Sequence, residues 1–467
     1  MAPAAAVILA AGKGTRFKSD LPKVLHRVGG RSLLHHVLAS IEPAGFDQVV
    51  VVIGHRADDA RAELDAIGAD VDVAVQSKQL GTGHAAEVAL SALRDDIERV
   101  VVLPGDSPLL LPPTLDALLA DPADVVMLMA EVDDPTGYGR VVREGNTVAR
   151  IVEHKDATHD ELAIREVNAG IYRFPVDGLA TVLASIGSDN IQGERYLTDA
   201  IAGFLDRGAS VTAITAPAEQ AAGVNDRAQL AAAGVILRQR ILQRHLLEGV
   251  TIVDPATTWI EADVTIDADA TILPNTHLEG ATAIRAGATI GPNCRLVDTT
   301  VGEDATVVWT VTNRAEIGPR ATVGPFTHLR PGTRLAAGTK AGGFVEMKNA
   351  EVGEGSKVPH LSYIGDATIG RDVNVGAGTI TCNYDGFDKH QTIIGDGAFI
   401  GSDTMLVAPV EIGSGAVTGA ASAIAEDVPA DALAVERSEQ RNVEGWAARR
   451  RDLRGEKAPD KQGEGTD

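Results

Sequence analysis

Residues 260–296 read IEADVTIDADATILPNTHLEGATAIRAGATIGPNCRL, with an aliphatic side chain at every sixth place: Ile266, Ile272, Leu278, Ile284, Ile290 and Leu296. After a change of phase the beat resumes at Ile317, Val323, Leu329 and Leu335. It returns at Ile394, Ile400, Leu406, Ile412, Thr418 and Ile424. A helix repeats every 3.6 residues and a half-buried strand every two, so neither accounts for a period of six. The beat predicts a parallel β-helix, in which each hexad supplies one short strand and one turn. Three hexads close one triangular coil, with the aliphatic residue pointing into a narrow core. Gly and Asn fill the turns, where positive φ or tight packing is needed. Stacked at strand spacing, nine or ten coils would make a prism on the order of 45 Å long.

Between Thr381 and Ile393 the beat is broken by Cys382-Asn383-Tyr384-Asp385-Gly386-Phe387-Asp388-Lys389-His390. This reads as a loop thrown outward from one corner, and insertions in such arrays often lie on the binding face.

The composition bounds the function. The chain has 65 acidic and 42 basic residues, a net charge of −23, which argues against a broad nucleic-acid footprint. A phosphate-bearing ligand must then be held by local Arg and Lys, backbone amides or a metal. The two cysteines, Cys294 and Cys382, have no metal-ligand spacing. They suit a reducing compartment, and a cytoplasmic location is expected. The N-terminal stretch lacks the basic region of a signal peptide, and no apolar run approaches the length of a membrane span.

Residues 1–226 alternate strand and helix signals. Val7–Leu9, Val49–Ile53, Val71–Val75 and Val100–Leu103 are β-branched runs of the buried parallel-strand type. Helical segments are expected near 33–41, 57–65 and 84–93. The pattern predicts an α/β domain, Rossmann-like in layout, with ligands at the carboxyl ends of its strands. Residues 227–248 read as a linker helix with Leu230, Ile236, Leu237, Ile241 and Leu242 on its apolar side. The β-helix is expected over 249–448, with Trp446 still anchored, and a disordered tail over 449–467.

The first strand leads into Leu9-Ala10-Ala11-Gly12-Lys13-Gly14-Thr15-Arg16, then Leu21-Pro22-Lys23. It is neither a Walker A loop nor the dinucleotide fingerprint, because Phe17 stands where a third Gly is needed. Its amides can cradle a triphosphate, with Arg16 and Lys23 supplying charge, although such a turn is often only a turn. Gln76–Gly83 opens a helix and can hydrogen-bond a nucleobase. Asp106, after the strand 100–103, is placed to hold Mg²⁺ with phosphate oxygens, or else merely caps a turn. Residues 137–140, 153–155 and 168–170 supply a carboxylate, an amide and backbone donors of the kind that read sugar hydroxyls, and Val224-Asn225-Asp226 closes the domain with a second candidate metal ligand.

LAAGKGTR…LPKVLH, QLGTGHA, GYGR, IVEHKDA, GVNDR, FTHLRPG, FVEMKNA, HLSYIGD, GTITCNYDG and IGSDTMLVAPV run in order along nearly the whole chain. Together they resemble the bifunctional bacterial N-acetylglucosamine-1-phosphate uridylyltransferase/glucosamine-1-phosphate N-acetyltransferase family. The opening motif alone marks only a sugar nucleotidyltransferase, whereas HLSYIGD with GTITCNYDG points to the acetyltransferase half. The resemblance implies an α/β nucleotidyltransferase domain followed by a left-handed parallel β-helix that assembles as a homotrimer. It implies UTP and acetyl-CoA as co-substrates and Mg²⁺ as the metal. Leu9, Gly12, Arg16 and Lys23 would meet the nucleotide and its phosphates, and Gln76, Gly81 and Thr82 the uracil end. Asp106 and Asn225 would hold Mg²⁺, and Gly139, Glu153 and Asn168 the N-acetylglucosamine. In the prism, Arg330, Lys348, Tyr363 and Asn374 would hold glucosamine 1-phosphate, with His360 as general base. Asn383, Tyr384, Lys389, Ser402, Ala420 and Arg437 would line the acetyl-CoA site. Pro104, Ala169 and Val443 depart from the family pattern, the first two bearing on sugar packing and the third on coenzyme binding.

Two other kinds of protein share parts of this pattern. A sugar-1-phosphate nucleotidyltransferase whose β-helix is only structural or regulatory, as in ADP-glucose pyrophosphorylases, needs no base in the prism. The residues His360-Leu361-Ser362-Tyr363 and the CNYDG loop speak against it. A binding protein like the related translation-initiation exchange-factor subunits would tolerate loss of Arg16, Lys23 and Asp106, all of which are present. Direct acetyl transfer leaves no nucleophile's role for Cys382, which reads as a packed neighbour of Asn383.

Overall fold

The structure is a computed structural model in which residues 2–454 are described. It divides into two compact units, Met1–Ala283 and Ile284–Asp467. The division falls inside the hexad array, so the first coils belong to the same unit as the α/β domain.

The first unit is built on a nine-stranded mixed sheet. Its parallel strands are β1 (Ala4–Leu9), β2 (Gln48–Ile53), β3 (Asp72–Val75), β4 (Arg99–Pro104) and β5 (Val125–Glu131). The strands β6 (Arg140–Glu144) and β7 (Thr147–Val152) form a hairpin, followed by β8 (Glu166–Pro175) and β9 (Val211–Thr215). The order along the sheet is β9-β5-β8-β4-β1-β2-β3, with β8 antiparallel to both neighbours. Strands buried on both faces must be apolar at every position, not at every second one. Thus Val125, Met127 and Met129 of β5 enter the core on one face, and Val126, Leu128 and Ala130 the core on the other.

The covering helices include α1 (Leu33–Ile41), α2 (Ala57–Ala66) and α3 (Thr82–Leu90). Ser32 caps α1 by accepting from the His35 amide at 3.1 Å. Helix α3 ends short of the expected residue 93, because Ala92 and Leu93 make tight i→i−3 bonds to Ala89 and Leu90 instead. The linker helix α4 (Arg227–Leu247) starts on Asp226, whose carboxylate accepts from the Gln229 amide at 2.9 Å. Its buried side carries Ala233, Leu237, Ile241, Leu242 and His245, with Leu230 and Ile236 half-buried.

In the second unit each two- to four-residue strand pairs in parallel with the strand one coil away, as Thr289↔Thr306, Thr306↔Thr322 and Lys340↔Lys357 do. The fold class is therefore the one expected, an α/β Rossmann-like nucleotidyltransferase domain followed by a left-handed parallel β-helix. The change of phase in the sequence has a local cause. Inward side chains run Leu296, Val301, Val307, Thr312 and Ile317, all buried, so steps of five interrupt the steps of six. The shortened corners Leu296–Val301, Val307–Thr312, Thr312–Ile317, Met347–Val352 and Ile364–Ile369 each hold one left-handed residue: Asp298, Trp309, Arg314, Asn349 and Asp366, with φ between 46 and 48°. Through the stretch where the beat was not legible, Ala341, Met347, Val352, Val358, Ile364, Ile369, Val375 and Thr381 remain buried and inward.

Residues 449–454 are not disordered; they belong to a helix, Trp446–Arg454, rich in Ala, Arg and Leu, which favour helix. The rest of the expected tail, 455–467, lies outside the described residues. Trp446 is not anchored in a core. It is exposed, with the Arg450 guanidinium 5.0 Å from its ring centre one turn later.

A core this narrow cannot close around a void. Leu406→Ala is expected to destabilise the second unit by about 2–5 kcal/mol, seen as an earlier unfolding midpoint in denaturant melts followed by circular dichroism.

Candidate active sites

The carboxyl ends of β1 and β4, with the loops that follow, open onto a cavity of about 560 Å³. Leu9, Gly12, Lys23, Gln76, Gly81, Thr82, Asp106, Glu153 and Asn168 all line it, together with Lys13. At its phosphate end the Lys23 ammonium donates to the Asp106 carboxylate and, at 3.3 Å, to Asn225 Oδ1. Arg16 Nη2 donates to the same Asn225 Oδ1 at 2.8 Å. The loop carrying both cations is pinned by Phe17, which is buried against Val224, Ala233 and Leu237 and stacked on His26 at 4.3 Å. The Asn225 amide donates to Gln229 Oε1 at 2.7 Å. Both halves of this cluster therefore rest on the start of α4. Neither Phe17 nor Gln229 was identified from the sequence as a support, because their partners are distant in the chain.

The donor set answers whether a metal fits. Two hard oxygens, from Asp106 and Asn225, converge on one cation, the Lys23 ammonium. That is the oxygen chemistry Mg²⁺ prefers. Among the described residues no group of three or more His, Cys, Asp or Glu is placed to hold a metal, so phosphate oxygens and water would complete its shell.

At the other end, Gln76 is buried and its Nε2 donates to Gly81 O at 3.1 Å. Gly81 has φ 108°, and a Cβ there would come within 2.5 Å of Arg195 O, so no other residue fits. Thr82 Oγ1 accepts from the Leu197 amide at 3.0 Å. On the sugar side the Gly139 carbonyl accepts from the Asn168 amide at 2.9 Å. Asn168 Nδ2 donates to the Tyr172 hydroxyl at 2.6 Å. Tyr172 and Thr198 also line the cavity, and sequence reading missed both. Burial holds the Tyr172 hydroxyl protonated, far above its usual range. Burial also raises the Glu153 pKa, against the opposing effect of the Thr198 hydroxyl, which donates to it at 3.3 Å. Of the departures, Pro104 lines the cavity whereas Ala169 does not: strand alternation turns it into the core on the opposite face. Ala169 therefore bears on core packing and not on sugar contacts. Arg140 is fully buried and is spent on the Tyr138 and Leu162 carbonyls.

In the β-helix the candidate residues gather at two edges of one prism face. His360 ends the strand Lys357–His360 and is exposed. Its carbonyl accepts from Gly378, and Ser402 O accepts from Ala421, so His360, Ser402 and Ala420 belong to one corner stack. Arg437 joins it by donating to Ala420 O at 3.0 Å. The next corner holds Arg330, Lys348, Tyr363, Asn383 and Lys389. Lys389 beside Lys348, followed by burial and then Arg330, lowers the Lys348 pKa. Such crowding of cations is favourable only for an anion. Gly365 leaves room between the Tyr363 hydroxyl and Asn383 Nδ2, where a Cβ would be 2.5 and 2.8 Å away. Asn349 and Asn383 both donate to Asp366. Asn374 is not in either stack; it pairs with Lys357 on the adjoining face.

The protruding loop is internally braced. Asp385 accepts from the Phe387 and Asp388 amides at 2.8 and 2.7 Å and from His390 at 2.8 Å. These bonds, His390 first, hold its carboxyl well below the usual range. Tyr384 and Phe387 are left exposed at its tip, and Val443 is exposed further on. Burial raises both the Cys382 and the Cys294 thiol, so neither is poised as a thiolate.

Residues 6–159 match the MobA-like NTP transferase domain family. Over its length the chain is 50% identical to the bifunctional protein GlmU of Streptomyces avermitilis, covering 96% of this chain and 95% of that one. It is 51% identical to that of Thermobifida fusca, with the same coverage, and 51% identical to that of Mycolicibacterium gilvum, covering 97% and 93%. The chain belongs to the GlmU family. Among solved structures, the inositol-1-phosphate CTP transferase from T. maritima aligns over 49% of this chain and 92% of its own, with TM-score 0.40 and 20% identity.

Glu153 provides a pH test of the sugar side. Its folded pKa lies above its unfolded one, so ionising it costs stability as pH rises past the ordinary carboxylate range. Glu153→Gln is expected to melt higher than the parent at pH 7–8. The gap should close below about pH 4, as followed by calorimetry across pH.

Proposed function

We infer that the chain makes UDP-N-acetylglucosamine in two steps: acetyl transfer from acetyl-CoA to glucosamine 1-phosphate, then uridylyl transfer from UTP. The observation that carries the second step is the convergence of Asp106, Asn225, Lys23 and Arg16 at one end of a cavity whose other end is a buried amide. A phosphate oxygen of N-acetylglucosamine 1-phosphate attacks the α-phosphorus of UTP in line, and the bond to the departing pyrophosphate breaks. The protein needs no covalent nucleophile for this, only alignment and charge neutralisation. Arg16 and Lys23 meet the phosphates, Glu153 and Asn168 orient the sugar, and Gln76, Gly81 and Thr82 hold the base. Asp106 and Asn225 would hold Mg²⁺, which when bound neutralises phosphate charge.

For acetyl transfer, His360 takes the proton that the glucosamine amine loses as it attacks the thioester carbonyl. The C–N bond forms, the C–S bond breaks, and the coenzyme leaves as its thiol once protonated. Arg330, Lys348 and Tyr363, with Asn374, hold the sugar phosphate; Asn383, Tyr384, Lys389, Ser402, Ala420 and Arg437 serve the coenzyme. Residues 1–226 carry the first set of roles and 249–448 the second, joined through 227–248. A cytoplasmic location fits both thiols being reduced. Among the described residues no helix is long and apolar enough to cross a membrane.

The homotrimer belongs to this proposal. In one chain His360 and the Lys348–Lys389 corner are separated by about 15 Å of extended chain, too far for one small substrate to meet both. Trp309, Phe326 and Phe344 stack along the edge that leads to His360, at φ 47, 58 and 58°. Bulky side chains in that conformation cost of order 1 kcal/mol each, and Phe344 is 62% exposed. We assign a second copy of the chain to this edge, bringing its own loop corner to His360.

Two assays separate the activities. Asp106→Ala should abolish pyrophosphate release from UTP and leave thiol release from acetyl-CoA near the parent rate. His360→Ala should slow thiol release roughly 100- to 10,000-fold and spare pyrophosphate release from pre-acetylated substrate. Equal damage to both activities by either variant would reject the assignment. Phe344→Glu should sediment as a monomer that has lost acetyl transfer but retains uridylyl transfer; a fully acetylating monomer would show that each site is built within one chain.

A further inference from the structure

Gln76 has one amide, and its two ends recognise opposite hydrogen-bonding patterns. Nε2 donates to Gly81 O at 3.1 Å and contacts His84 Nδ1 at 3.0 Å. A carbonyl oxygen can only accept, so the –NH₂ end of Gln76 must face Gly81. His84 Nδ1 must then accept, which places the ring proton on Nε2. Both amide protons of Gln76 are thus consumed by the protein. Among the described residues its Oε1 has no hydrogen-bond partner, on a side chain that is 3% exposed and lines the cavity.

We propose that His84 is a positioning residue for base selection: by occupying the second amide proton of Gln76, it leaves only an acceptor facing the base. Uracil presents an N3–H donor to such an acceptor, whereas cytosine presents the lone pair of N3. A buried acceptor facing another acceptor is left unpaired, and that mismatch rejects the wrong base more strongly than shape does. Without the His84 acceptor, the second amide proton is unsatisfied, and the amide gains by turning or by rotating toward the cavity. Helix α3 sets the geometry, since His84 lies on its first turn, three residues after Gly81.

The proposal rests on the uridylyl-transfer reading and is tested with the full chain, N-acetylglucosamine 1-phosphate and Mg²⁺, following pyrophosphate. With the unaltered protein, N3-methyluridine triphosphate, which lacks the donor, should lose at least tenfold in kcat/KM relative to UTP, chiefly through KM. His84→Leu should lower the UTP-to-CTP ratio of kcat/KM at least tenfold. His84→Asn, whose Oδ1 can accept near the place of Nδ1, should restore most of that ratio. Acetyl transfer serves as the folding control and should be unchanged in both variants. Equal use of the N3-methyl compound and UTP would overturn the proposal, as would a parallel fall with UTP and CTP in His84→Leu. Absence of pyrophosphate release from UTP itself would instead overturn the underlying reading.

Discussion

A β-helix coil admits few inward side chains per strand, at most a small one two residues before the main one as in Thr327–Leu329, and that constraint shapes everything in the C-terminal half. The inward position must be aliphatic or a satisfied Thr, so the sequence carries a beat. The corner must reverse direction within a few residues, so left-handed conformations recur at fixed intervals. Where a corner is shortened from six residues to five, Asp, Asn, Arg or, once, Trp takes the left-handed position, and the beat shifts phase while the coil still closes. The scaffold is consequently stiff, and its chemistry is carried by what projects from the corners. His360 belongs to one corner stack, and Lys348, Asn383 and the braced loop to the next.

The N-terminal half solves a different problem, that of holding like charges ready for a polyanion. Lys23 and Arg16 are kept in place by Asp106 and Asn225, which are themselves candidates for binding a cation. The same groups can exchange partners when a metal and phosphates arrive, and without them Lys23 and Arg16 are still hydrogen-bonded while one positive charge is left over for a polyanion. Its precision comes from the start of α4, where Phe17 anchors the Arg16–Lys23 loop and Gln229 anchors Asn225 on one support. Removing hydrophobic area there would loosen the phosphate loop without touching a ligand group.

Several elements were legible because the physics behind them is local. The four buried strands, α1 and α2, the linker helix and the hexad array were all readable from periodicity and capping. So were the Gly-rich exit of β1 and the loop at 382–390. Others were not. The end of α3 depended on a competition between i→i−3 and i→i−4 bonds, and the helix at 446–454 on propensity within a highly charged segment. Tyr172 and Thr198 lack any motif and gain their place from the pairing of β8 and the fold of the segment after Tyr196. Ala169 looked like a sugar contact until strand alternation turned it into the core.

The β-helix and the α/β domain could be read from residues alone, because hexads and buried strand runs each have few physical solutions, whereas the two chemistries and most of the candidate residues came from the resemblance of the motifs to a known family. Which groups meet emerged from the folded chain: Lys23 bridges Asp106 and Asn225, His360 stands an edge apart from Lys348, and His84 contacts the second amide proton of Gln76. Such pairings depend on how distant segments stack and on which atom of an amide is already spent. Neither is written in any local pattern of residues, since both follow from the competition of the whole chain for burial and hydrogen bonds.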